Sequence, residues 1–222
     1  MSNTREAILN KVRAALGNRG IDAASVRSAA QTLLAEPNAT RPAPGAGSLA
    51  DRFIEKVTSP RVAATVSRLS SMAAVPAAVS DYLTAKGLPL SIALQPNAVL
   101  RMLNWSAFEV HETVAAKEPV AVGIARWGIA ETGSLVFHSG PDLAVLGNFL
   151  PLHHLVVLPG DKLLPYLDDY AALVAGQPMP RNLNLITGAS GTTDIEGSLV
   201  LGAHGPRYLH VIVVEAGWIP PA

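Results

Sequence analysis

The 222-residue chain has no cysteine, no excess of either charge (17 basic and 17 acidic side chains) and few aromatic residues, 5%. Each shortage excludes something. Without thiols there is no disulfide framework, no thiolate nucleophile and no iron–sulfur cluster held by the chain's own sulfurs, and a structural zinc site would have to be built from His and carboxylate. A balanced charge lacks the basic footprint of a general nucleic-acid binder or a polybasic membrane-surface protein. The longest uncharged stretch, Leu143 to Gly160, is broken by Asn148, Pro151, His153, His154 and Pro159 and cannot span a bilayer. The N-terminus carries Arg5, Glu6, Lys11 and Arg13 where a signal peptide needs an apolar region. A soluble, cytoplasmic protein is expected. What is abundant is Ala with aliphatic Val, Leu and Ile, which suits a buried sheet covered by helices. A chain of this length makes one domain with a small extension and buries about 70% of its unfolded surface.

Asn3 with Glu6 three positions on makes a capping-box pattern, and Ile8, Val12, Ala15 and Leu16 repeat at helical spacing up to Gly17. A second short helix starting at Ser25 carries Val26, Leu33 and Leu34. Residues 37–47, PNATRPAPGAG, then hold three prolines and two glycines, the composition of an extended linker. The expected division is therefore a helical arm with its linker over 1–47 and the main domain over 48–222. In the main domain Leu49, Phe53, Ile54 and Val57 fit one helix face, and Val62, Ala64 and Val66 a short strand. Pro76 opens a helix that Gly87 closes. Leu90 to Leu94, Val120 to Ile124, Leu135 to His138, Leu155 to Leu158, Leu183 to Thr187, Leu199 to Gly202 and Leu209 to Val214 read as strands, and Asp161 to Ala175 as a helix. Strands separated by helix-length segments predict an α/β fold with an open, mainly parallel sheet and flanking helices.

Several motifs fail on context. Gly45 to Ala50 spells G-x-G-x-x-A, but a proline-rich linker precedes it where a dinucleotide fingerprint needs a strand. In Gly188-Ala189-Ser190-Gly191-Thr192 the second glycine of a nucleophile elbow is displaced. His153 and His154 are adjacent, so on a strand they face opposite ways and cannot chelate one metal; the simpler expectation is that one of them turns to solvent. No metal site is expected.

Three polar clusters remain. Glu131, Thr132 and Gly133 stand in a turn before the apolar run Leu135-Val136-Phe137. Two readings stand for Glu131: it orients a substrate hydroxyl or acts as a base, or it satisfies backbone groups of the turn together with Thr132. The second cluster, Gly188 to Gly197, is rich in glycine and hydroxyls and follows a strand, where open α/β sheets receive ligands. There Gly188, Ser190 and Thr192 can bind a ligand, while Asp194 and Glu196 either hold a substrate hydroxyl and move protons or cap and orient the loop. The third is Gly202-Ala203-His204-Gly205-Pro206. His204 is the one histidine of six that sits among glycines and proline, and it is the first candidate for an acid/base group; a turn histidine bonded to a carbonyl is the alternative.

Taken in order, Ile129-Ala130-Glu131-Thr132-Gly133, Gly188-x-Ser190-x-Thr192-x-Asp194-Ile195-Glu196 and Gly202-x-His204-Gly205-Pro206, closing on Leu209-His210-Val211, resemble the LUD-domain family over about residues 48 to 215. The resemblance implies a fold similar to the NagB/RpiA/CoA transferase-like proteins. It also implies a place in a bacterial system that oxidises L-lactate to pyruvate, with iron–sulfur clusters on partner subunits and no cofactor bound by this chain. The residues themselves, apart from the resemblance, offer His204, Glu131 and Asp194 for acid/base roles and Thr132, Gly133, Gly188, Ser190, Thr192, Glu196 and Gly205 around a substrate, with a small carboxylate as one ligand class. Ala189 and Gly191 stand where the family pattern has proline and a basic residue, so a cation for anion capture would have to come from Arg126 or Arg207.

Overall fold

The structure is a computed structural model that describes residues 2–17, 22–193 and 199–215. The chain divides into two compact units, Met1–Pro44 and Gly45–Ala222. In the first, helix α1 spans Ser2–Leu16, so Asn3 lies within its first turn. Helix α2 covers Ala23–Ala35 and begins before Ser25 because the Asp22 carboxylate accepts the Ser25 amide at 3.2 Å. Ile8, Val12, Leu16, Val26 and Leu33 are all exposed.

The second unit opens with α3 (Leu49–Val57), where Ser48 and Asp51 form a reciprocal capping box. Strand β1 (Thr65–Leu69) follows, then α4 (Val75–Ala85), β2 (Ser91–Leu94), the single turn α5 (Ala98–Arg101), β3 (Glu109–His111) and β4 (Val120–Ile124). Helix α4 ends in a double bond of Schellman form, Leu88 N–H to the Leu83 carbonyl and Gly87 N–H to that of Thr84. After β4 come the antiparallel pair β5 (Trp127–Ile129) and β6 (Ser134–His138), then β7 (His153–Pro159), the two-residue β8 (Leu163–Leu164) and α6 (Leu167–Val174). The chain continues through β9 (Leu183–Ile186), β10 (Gly191–Thr193), β11 (Leu199–Leu201) and β12 (Tyr208–Val214).

Six strands form one sheet in the order β1-β12-β7-β4-β2-β3, and every neighbouring pair is parallel. Side chains alternate across it. Val156 and Leu158 of β7 and Val211 and Val213 of β12 face α3 and β6, whereas Leu155, Val157, Ile212 and Val214 face α4 and α5. Both faces are covered, so Leu155 to Leu158 of β7 and Val211 to Val214 of β12 read as continuous apolar runs. A second sheet, β8-β5-β6-β9, lies on the α3 side, and α6 packs on it through Tyr170 against Ile129 and Val136. From β2 the sheet winds outward to β3; from β4 it winds the other way, to β7 and β12. Crossovers of one hand that run in opposite directions must lie on opposite faces, which is why α4 and α5 cover one face and the second sheet the other. The winding reverses between β2 and β4.

Three sequence expectations change. The strand expected over Val62, Ala64 and Val66 starts at Thr65, because Ala63 takes a left-handed φ of 54° and turns the chain. The segment from Asp161 is helical only from Leu167: Pro165 disfavours helix at the residue before it, and Leu163 and Leu164 pair with β5 instead. Neither His153 nor His154 reaches solvent, at 5% and 2% exposed, since β7 is central and covered on both sides. Among the described residues no helix is long and apolar enough to cross a membrane.

Candidate functional site

The residues singled out by sequence fall into two places. Gly188, Ser190, His204 and Gly205 line one cavity of about 200 Å³ together with Asn148 and Phe149. Two backbone bonds stitch its loops: Ser190 N–H to the Pro206 carbonyl, and Gly202 N–H to the Ser190 carbonyl, each 2.8 Å. Gly188 is required there, because its φ is 97° and a β-carbon would lie 2.3 Å from the Val62 carbonyl oxygen. Gly205 lets the loop close on Ser190, whose Cβ would stand 3.1 Å from an added β-carbon. Thr192 is exposed on β10. Asp194 and Glu196 lie outside the described residues.

Glu131, Thr132 and Gly133 form the turn between β5 and β6 and do not line that cavity. The Glu131 carboxylate accepts the Leu167 N–H at 3.2 Å, at the first turn of α6, a cap that favours a negative charge. Thr132 joins a hydroxyl chain, Thr132 to Ser134 at 2.7 Å and Ser134 on to Thr187. Gly133 packs on the end of α3, where a β-carbon would meet the Val57 nitrogen at 3.0 Å.

A larger cleft of about 300 Å³ opens where the parallel strands end, between Gln95 and Asn97 after β2, Ala125 and Arg126 after β4, and Pro159 and Lys162 after β7. Ligands of open α/β sheets bind outside the carboxyl ends of strands at the point where winding reverses, and β2 and β4 are that pair here. The Gln95 amide oxygen accepts the Ile124 N–H at 2.8 Å and holds the two strand ends together. Trp127, Phe137 and His138 of the second sheet wall the far side. His138 Nε2 lies 2.6 Å from the Tyr170 hydroxyl, and Trp127 packs against both rings. Burial, and then the Arg126 charge, lower the His138 pKa, while burial raises that of Tyr170. The pair is neutral at physiological pH and can donate or accept one hydrogen bond. Lys162 is paired with Asp161 at 2.9 Å, and Asp142 accepts from the Asn97 amide at 3.1 Å. Arg126 lines the cleft without an ion pair among the described residues.

A small cavity of about 30 Å³ touches both sites. It shares Gln95 and Leu143 with the cleft and Asn148 with the loop cavity. The Asn148 amide and His154 Nδ1, both buried, have no hydrogen-bond partner among the described residues, and the space has room for one water. Burial alone pushes the His154 imidazole down to about 4, so it is neutral. Sequence reasoning missed Gln95, Asn97, Trp127, His138 and Asp142, and it named Arg126 only as a substitute cation. The one signal available was that each follows or ends an apolar run, and many loop residues do.

The fold and the cleft define an open α/β protein with a cleft at its strand-order reversal. Residues 51–214 match the family model for the LUD domain, and the chain belongs to that family. It is similar to Lactate utilization protein C of Bacillus licheniformis, 29% identical over 127 residues that make up 54% of this chain and 53% of that protein. The protein of the same name from Geobacillus kaustophilus is 33% identical over 117 residues, 50% of this chain and 49% of that one. The chain thus spans about half the length of the curated relatives it matches. Among solved structures, the crystal structure of a DUF162 family protein from Deinococcus radiodurans aligns with a TM-score of 0.53 at 20% identity, covering 77% of this chain and 100% of that one. That likeness concerns the fold.

Proposed function

We propose that this chain is a cytoplasmic component of a bacterial lactate utilisation system and supports oxidation of L-lactate to pyruvate together with iron–sulfur partner subunits. The observation that carries the proposal is the LUD-domain match over 51–214 combined with relatives named Lactate utilization protein C. The sequence supplies a physical reason for partners. Oxidising lactate to pyruvate releases two electrons and two protons, and a chain with no cysteine has no thiolates to hold an iron–sulfur cluster. Electrons then pass to clusters on another subunit, while this chain contributes binding and orientation. Deleting the gene should abolish growth on L-lactate as sole carbon source and lactate-dependent dye reduction in extracts, with recovery on re-expression; unchanged growth and dye reduction would overturn the proposal.

A second reading, a stand-alone enzyme or binding module for a small phosphorylated or carboxylated metabolite, is favoured by the cleft at the β2/β4 reversal. Turnover of such a metabolite by the purified chain without partners would decide for it.

A further inference from the structure

We propose that the cleft at the β2/β4 reversal binds a small monocarboxylate that also carries a hydroxyl, with the Arg126 guanidinium taking the carboxylate and the polar lining of Asp142 and His138 taking the hydroxyl. This assigns the ligand site to a different place from the Ser190 and His204 cavity. The choice of hydroxyl rests on the lactate-utilisation reading; the anion site does not.

Charge makes the first selection. Four ionised side chains line the cleft. Lys162 and Asp161 neutralise one another at 2.9 Å, which leaves Arg126 as a positive pole and Asp142, steadied by Asn97, as a negative one. A dianion such as a phosphate ester gains at Arg126 and is repelled by Asp142. An apolar molecule leaves both poles unused. A monocarboxylate with a hydrogen-bond donor elsewhere in the molecule satisfies both, because a guanidinium binds carboxylate through paired N–H donors and a carboxylate accepts a hydroxyl proton.

Size and walls agree. About 300 Å³ is the lower end of the range for small-molecule sites, and Val99, Ile124, Phe137, Leu143 and Pro159 supply apolar walls. The hydrogen-bonded His138–Tyr170 pair adds a neutral group that shifts between donor and acceptor by tautomer, so it serves a hydroxyl as well as the carbonyl that replaces it on oxidation. Gln95 holds the floor through Ile124, and Ile124, Phe137, His138 and Pro159 belong to strands, which position a site more rigidly than loops do.

Trp127 lines the cleft, so its fluorescence reports occupancy. Titration of the full chain with L-lactate should give a saturable change. Propionate, with no donor, should bind at least about tenfold more weakly, the scale of one hydrogen bond to a charged group, and L-alanine, whose ammonium would face Asp142 in the hydroxyl's place, tests the choice of hydroxyl. Arg126→Gln, at an exposed position, should weaken L-lactate by about tenfold or more with an unchanged melting temperature, and Tyr170→Phe by a smaller factor. Arg207→Gln, outside the cleft, should bind as the wild type. No saturation with L-lactate, an Arg126→Gln protein that binds normally, or a preference for L-alanine would each overturn the assignment. The deletion phenotype is separate: Arg126-dependent binding without a growth defect removes the lactate system and keeps the site, and a growth defect without binding does the reverse.

Discussion

The two cavities are built in opposite ways. The cleft at the β2/β4 reversal borrows its walls from strand ends of the parallel sheet, and Ile124, Phe137 and Pro159 belong both to it and to the elements that make the core. The cavity of Ser190 and His204 is made largely of loops, held by two backbone bonds, with Leu185 and Ile186 of β9 as its strand residues and Phe149 partly exposed at its edge. The difference teaches where geometry is secured by packing and where it is secured by a few local bonds. A site on the framework cannot be loosened without loss of stability, whereas a loop site can change with little cost to the fold.

The largest effect expected on that contrast comes from paired truncations. Phe137 is 1% exposed and stacks on His154 at 5.8 Å, so Phe137→Ala should cost about 3–5 kcal/mol in urea unfolding. Phe149, at 37% exposed, should cost under about 1 kcal/mol when truncated the same way. Equal losses would erase the distinction.

A second test asks whether the loop cavity contains any rigid point. Gly188→Ala forces a left-handed alanine against the Val62 carbonyl and should cost about 1–3 kcal/mol. Gly176→Ala shares a positive φ of 75° but meets nothing within 4 Å, so it isolates the backbone component. A thermal melt of the two proteins should place Gly188→Ala clearly lower; coincident melts would mean that Val62 yields.

The third and smallest effect sharpens the framework side. His154 has a folded-state pKa of about 4 because burial disfavours its cation, against about 6.5 when unfolded. At pH 7.5 it is neutral in both states and its contribution is fully present. As pH falls through 6.5 the unfolded chain binds the proton and the folded chain does not, so stability is lost down to about pH 4. At pH 5.5 the loss is about tenfold in the folding equilibrium, or about 1.4 kcal/mol. His210, also held at about 4 by burial and then by Lys86, adds a similar amount. His154→Gln should therefore remove about 1.4 kcal/mol of the drop in stability between pH 7.5 and pH 5.5 measured by urea unfolding; an unchanged drop would show that His154 is not buried.

Much of the fold was legible in the chain. The apolar runs of β4, β7 and β12 and the helix closed at Gly87 need only local patterning and turn chemistry. Half of the second sheet was legible, as β6 and β9, and half was not: Trp127–Ile129 and Leu163–Leu164 are too short to show a period, and they become strands because β5 pairs with β6 and β8 pairs with β5. Strand β1 was misplaced for a related reason, since an edge strand tolerates Thr65, Ser67 and Arg68 and so carries no apolar signature.

The site divides the same way. From sequence came the polar loops, because glycine, hydroxyl and histidine clusters stand out against apolar runs, and the structure brings Ser190 next to His204 while leaving Glu131 at the head of α6. The missing thiols, the balanced charge and the order of the three motifs were properties of the chain alone, and no folding could alter them. Which residues share a cleft depends on strand order. Gln95, Arg126 and Lys162 are far apart in the chain and meet because the sheet reverses its winding between β2 and β4. That reversal is decided by how the crossovers pack on two faces, a choice made by the whole sheet and by no local segment.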